Sequence, residues 1–121
     1  MSIRRILVVD DSEVERENLR SIVSAENYDV MTAISGKDAL EKVKQFNPDM
    51  IFMDIVMPEM DGFATCRELT KNAETKSIPV IFVSSKNQEA DKVWAQLQGA
   101  VGYITKPYLK DQIIEQINAL N

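Results

Sequence analysis

The sequence contains no histidine. That excludes a Ser-His-Asp triad, a His-ligated zinc site and histidine phosphotransfer on this chain. Cys66 is the one cysteine, so no internal disulfide is possible, which fits a reducing compartment. Long apolar runs are missing too. After the N-terminal arginines the apolar run extends only from Ile6 to Val9, too short for a signal peptide. Nothing approaches the roughly 20 residues of a membrane helix. A cytoplasmic chain is expected. Basic excess is also lacking: 14 Lys and Arg stand against 19 Asp and Glu, a net charge of −5. Such a surface has no general affinity for nucleic acid or anionic membrane.

What is present suits one globular domain. The chain has 121 residues, 45% hydrophobic and 27% charged, which excludes disorder, collagen and coiled coil. A chain of this length buries about two-thirds of its unfolded surface, enough to fold without disulfides or a structural metal. No repeat, linker or low-complexity segment is visible. Residues 1–121 are therefore expected to form a single domain without an effector domain.

Short apolar runs alternate with helical patterns. Ile6 to Val9, Met50 to Met53 and Val80 to Val83 are continuous, as strands buried on both faces should be. Tyr28 to Ala33 and Val101 to Ile104 read as weaker strands. Between them, Val14, Leu19, Ile22 and Val23 mark a first helix, with Ser12 and Glu15 as a capping box. Ser35 opens a second helix, and Asn47-Pro48-Asp49 ends it. Phe63, Cys66 and Leu69 mark the third helix, with Cys66 as inert core. Val93, Trp94 and Leu97 mark the fourth, with Trp94 half-buried. Ile113, Ile114, Ile117 and Leu120 stripe the fifth. Strict alternation of this kind predicts a parallel sheet with helices on both faces.

In such a sheet, ligands bind beyond the carboxyl ends of the strands. The polar residues there are Asp10 and Asp11 after the first strand, Asp54 after the third, Ser84 and Ser85 after the fourth, and Lys106-Pro107 after the fifth. If the first and third strands are neighbours, about 5 Å apart, three carboxylates crowd together. Two such charges repel by about 3 kcal/mol at an effective dielectric near 20. A hard divalent cation offsets this, and an all-oxygen set suits Mg²⁺. A lysine ammonium helps from the other side. Taken singly, each acidic residue reads equally well as a helix cap, Asp11 included. The joint set does not.

These residues, in Val8-Val9-Asp10-Asp11-Ser12, Met53-Asp54-Ile55-Val56-Met57-Pro58, Met60-Asp61-Gly62, Ser84 and Lys106-Pro107, resemble the receiver domain of two-component response regulators, the CheY type, over essentially the whole chain. The resemblance implies an α/β, flavodoxin-like (βα)5 three-layer sandwich with strand order 2-1-3-4-5, the order of CheY itself. It implies that Asp54 is a phosphoacceptor for a histidine kinase. Asp10, Asp11, Asp54 and the backbone carbonyl of Val56 would hold Mg²⁺. Lys106 would pair with the phosphoryl group, and the Lys106-Pro107 bond would be cis. Ser84 would swing toward the phosphoryl group and Tyr103 would follow, moving from partly exposed to buried. A downstream protein would then read the face built from the fourth helix, fifth strand and fifth helix. The chain would be a monomer or weak dimer, and a phosphoacceptor rather than a turnover enzyme.

Val56 and Lys86 occupy positions where, in the family, side chains set how fast water attacks the aspartyl phosphate. Val56 is apolar and positions no water, so slow to intermediate self-dephosphorylation is expected. Ser84 stands where threonine is commoner, and Ser85 is larger than usual there. Residues 74–80 and 91–100 further resemble the single-domain regulators of type IV pilus twitching motility, the PilH and PilG kind, PilH being the nearer. That implies a CheA-like kinase as phosphodonor. The alternatives are a phosphate sink with no direct effector, and an Asp-nucleophile phosphatase of the haloacid dehalogenase type. The second needs Asp at position 12, where Ser stands.

Overall fold

Ile6–Val9, Met50–Met53 and Val80–Val83 are almost wholly shielded from solvent, and this decides the architecture. The structure, a computed structural model, describes residues 2–121. Strands β1 (Arg5–Val9), β3 (Met50–Met53) and β4 (Val80–Ser84) fill the middle of a parallel sheet. β2 (Asp29–Ala33) and β5 (Gly102–Thr105) form its edges, in the order β2-β1-β3-β4-β5. Continuous apolar strands need cover on both faces. Helices α1 (Glu13–Ala25) and α5 (Lys110–Leu120) supply one cover, packing Leu19, Val23, Ile113 and Ile117 on Ile6, Val8, Phe52 and Ile81. Helices α2 (Gly36–Phe46), α3 (Gly62–Lys71) and α4 (Glu89–Leu97) supply the other. Ala39, Val43, Cys66, Leu69 and Ala95 there meet Leu7, Val9, Ile51, Met53 and Phe82. Side chains alternate between the faces along each strand, so one set of strands serves both cores. No described helix is long and apolar enough to cross a membrane.

The helix ends follow local chemistry. Ser35 Oγ accepts from Asp38 N–H at 3.0 Å, and an Asp61 carboxylate oxygen accepts from Ala64 N–H at 2.8 Å. Asn47, at φ 51°, closes α2 in the left-handed conformation just before Pro48.

Four local expectations need correction. Val14 is 78% exposed; it lies five residues before Leu19, about 140° around the helix, so it misses the apolar face. The first capping box is half-made: Ser12 Oγ accepts from Glu15 N–H, but the Glu15 carboxylate turns elsewhere. Ser12, not Asp11, is therefore the cap. Val101 precedes β5 and is exposed, so that strand begins one residue later and includes Thr105. Finally, Val93, Trp94 and Leu97 are exposed on α4, whose buried contact is Ala95.

Gly62 opens α3 against the end of β3. A Cβ there would strike the Asp54 backbone oxygen and would lie 2.8 Å from Ile55 Cα and 3.0 Å from a Phe82 ring carbon. Backbone and a packed ring cannot step aside. Gly62→Ala is expected to lose about 2–4 kcal/mol of stability, read by urea denaturation. A variant as stable as the parent contradicts this packing.

Candidate functional site

The sheet register assembles the site. Val9 pairs with Met53, so the next residues, Asp10 and Asp54, leave adjacent strands side by side. Ser84 pairs with Thr105, and Lys106 N–H donates to the Ser84 carbonyl at 2.8 Å. That places Lys106 at the same edge.

The Lys106 ammonium is the centre of the cluster. It lies 2.9 Å from Asp10 Oδ2, 3.1 Å from Glu15 Oε1 and 3.3 Å from Asp54 Oδ2. Asp10 and Asp54 are nearly enclosed, with side chains 7% and 12% exposed. Each carboxylate's other oxygen is held by backbone. Ser12 N–H donates to Asp10 Oδ1 at 2.9 Å, and Ile55 N–H donates to Asp54 Oδ1 at 2.7 Å. Arg16 donates to the Asp10 backbone carbonyl at 3.0 Å. The peptide bond between Lys106 and Pro107 is cis.

Asp11 is exposed beside this pair. Asp10, Asp11 and Asp54 each offer a carboxylate oxygen within 4.8 Å of the others'. Three carboxylates against one ammonium leave two unbalanced negative charges. An all-oxygen donor set of that charge fits a hard divalent cation. Val56 is exposed at the rim, two residues beyond Asp54.

Ser84 is fully buried, and its Oγ accepts from Lys86 N–H at 3.3 Å. Tyr103 is half-buried. Its hydroxyl donates to the Lys86 carbonyl at 2.6 Å, and its ring meets Phe82 edge-on at 6.4 Å. Ser84 and Tyr103 thus both hold the segment between β4 and α4, through the Lys86 N–H and the Lys86 carbonyl. Glu15 is the site residue that sequence reading assigned elsewhere. The available signal was its place: it lies in the first turn of the helix that follows Asp10 and Asp11, and so starts at the same edge.

Burial dominates the Asp54 carboxyl and pushes its pKa up; Lys106 and the Ile55 N–H pull it down, Asp10 pushes it up, and the net direction is up. For Lys106, burial pulls the other way, toward loss of charge. Its hydrogen bond to Asp10 and the charges of Asp54 and Asp10, with Glu15, outweigh burial and hold its pKa above the ordinary value. A raised carboxyl pKa means that the folded state binds the Asp54 proton more tightly than the unfolded state. That contribution is present below the unfolded pKa and is lost as pH rises through the folded one. Asp54→Asn, measured in EDTA, is therefore expected to melt about 2–6 °C above the parent at pH 7. The gain should fade as pH falls toward the ordinary carboxyl range. A variant melting below its parent at pH 7 contradicts this electrostatic account.

Comparison with known proteins agrees with this geometry. The profile of the response regulator receiver domain matches residues 6–118. Protein PilH of Pseudomonas aeruginosa is 46% identical over 116 residues, 96% of this chain and 96% of that protein. Protein PilG of the same organism is 39% identical over 115 residues, 95% of this chain and 85% of that protein. Among solved structures, the chemotaxis protein CheY4 of Vibrio cholerae superposes with a TM-score of 0.92 at 25% identity, covering 99% of this chain and 100% of that one. The receiver domain of a signal transduction histidine kinase from Syntrophus aciditrophicus gives 0.89 at 32% identity, covering 97% and 89%. A parallel sheet in the order β2-β1-β3-β4-β5, an acidic edge closed by Lys106, and these full-length likenesses all point one way: the chain belongs to the response regulator receiver domain family.

Proposed function

We propose that this chain is a single-domain response regulator that accepts a phosphoryl group from a histidine kinase on Asp54. One observation carries the reading. The Asp54 carboxylate stands at the end of β3 beside the Asp10 carboxylate, with Oδ1 held by backbone and Oδ2 on the Lys106 ammonium that bridges the two. Oδ2 is then the attacking atom. It forms a new bond to phosphorus while the bond from phosphorus to the kinase imidazole nitrogen breaks, and the nitrogen takes the bonding pair. Burial that raises the Asp54 pKa also makes its oxygen more basic, and so a stronger nucleophile. Lys106 stays charged throughout and meets the new phosphoryl oxygens as a point charge.

Asp10, Asp11, Asp54 and the Val56 backbone carbonyl would hold Mg²⁺. Bound there, the ion supplies neutralisation of the phosphoryl charge and orientation for in-line attack.

The output runs through Ser84 and Tyr103. A phosphoryl group at Asp54 offers strong acceptors to the Ser84 hydroxyl. When Ser84 turns to them, the Tyr103 ring moves inward and the α4-β5-α5 face changes. That is a shift between two populated states, biased by a local charge. Likeness to PilH and PilG supports a CheA-like kinase as phosphodonor and an output in twitching motility or chemotaxis-like signalling, in the cytoplasm.

Incubation with acetyl phosphate and Mg²⁺ should add the mass of one phosphoryl group to the intact parent. Asp54→Asn should add none, and EDTA should abolish the gain. A parent that takes no label from acetyl phosphate or from a phosphorylated histidine kinase sinks the proposal. The phosphoform is also expected to last minutes rather than seconds once the donor is removed, because exposed, apolar Val56 holds no water at the site. A lifetime of seconds contradicts that role for Val56.

A further inference from the structure

We propose that Glu15 is a positioning residue that competes with the phosphoryl group for the Lys106 ammonium, and thereby sets how readily the activated form is populated. This rests on Asp54 being the phosphoacceptor.

An ammonium carries three protons and no more. In this structure Lys106 Nζ has three carboxylate partners: Asp10 at 2.9 Å, Glu15 at 3.1 Å and Asp54 at 3.3 Å. A phosphoryl oxygen can join it only by displacing one of them. The three are not equally held. Asp10 and Asp54 are enclosed at strand ends, and each has its second oxygen fixed by a backbone N–H. Glu15 comes from another element, the first turn of α1, and its side chain is 43% exposed. Its release to water is the least unfavourable of the three. Glu15 is therefore the partner that leaves.

Two further observations agree. The Glu15 backbone N–H is used by the Ser12 cap, yet its carboxylate does not return to complete a capping box. It extends to Lys106 instead. Charge balance points the same way. Asp10, Asp11, Asp54 and Lys106 together leave two negative charges, which a divalent cation neutralises. Glu15 makes the loaded site net negative before a phosphoryl group arrives. Both effects favour the unmodified state. Removing the Glu15 charge frees one ammonium proton and lowers the repulsion, so it should favour phosphoryl binding while weakening the unmodified fold.

Those opposite signs make the test. The full chain, with Mg²⁺, is titrated with beryllium trifluoride, an unreactive phosphoryl analogue, and bound anion is read by ¹⁹F NMR. Melting temperature without the analogue is measured beside it. Glu15→Gln and Glu15→Ala are expected to lower the half-saturating concentration by roughly three- to tenfold and to leave the melting temperature equal or slightly lower. Glu13→Gln removes the same charge from the same helical turn without touching Lys106, and is expected to bind as the parent does. Parent-like or weaker binding by the Glu15 variants overturns the proposal. An equal gain in Glu13→Gln also overturns it, because the effect is then the general field of the helix end. A parent that binds no analogue overturns the phosphoacceptor reading, and this inference with it.

Discussion

The structure turns on one ammonium. Among the described residues, Lys106 alone forms ion pairs with the carboxylates that the sheet brings to its carboxyl edge, and Asp10 and Asp54 are too enclosed for water to screen them. Burial acts against charge on Asp54 and on Lys106. The arrangement persists because the ion pairs are short and each buried carboxylate has a backbone donor behind it. It is a ground state with surplus negative charge, and on the proposed function that surplus is what a cation, and a phosphoryl group neutralised by it, would answer.

The fold exists, for this purpose, to hold those groups in register. Parallel pairing of Val9 with Met53 delivers Asp10 and Asp54 together. Pairing of Ser84 with Thr105 delivers the buried hydroxyl and the lysine to the same edge. The two apolar cores fix the strands from both faces, so a slip of one residue would turn every strand inside out. Gly62 lets α3 begin directly against the backbone of Asp54 and Ile55. The placement of these groups is thus a consequence of strand register more than of any loop.

Much of this was legible in the sequence. Continuous apolar runs at Ile6, Met50 and Val80 announced buried parallel strands, and the polar residue after each run announced the edge. What stayed illegible has physical causes. Helical phase misplaced Val14, because apolar character alone does not say which face a residue occupies. Val93, Trp94 and Leu97 looked like a core stripe, yet only Ala95 of α4 packs inward. A short helix that buries one small residue leaves its larger apolar groups outside, and composition cannot distinguish the two cases. Glu15 matched a capping box by spacing, but Lys106 offered a full positive charge where the cap offered a neutral N–H, and the stronger partner won. That competition spans more than ninety residues of chain and is visible only in three dimensions.

The central claim is that Asp54, and not its equally acidic neighbours, takes the phosphoryl group. The direct measurement is reductive trapping: the protein is phosphorylated by a histidine kinase in Mg²⁺, treated with borohydride and digested, and the modified residue is located by peptide mass spectrometry. The account predicts conversion of residue 54 to homoserine, with Asp10 and Asp11 unchanged. Conversion at Asp10 or Asp11, or none at residue 54 of a chain shown to carry the label, would contradict it.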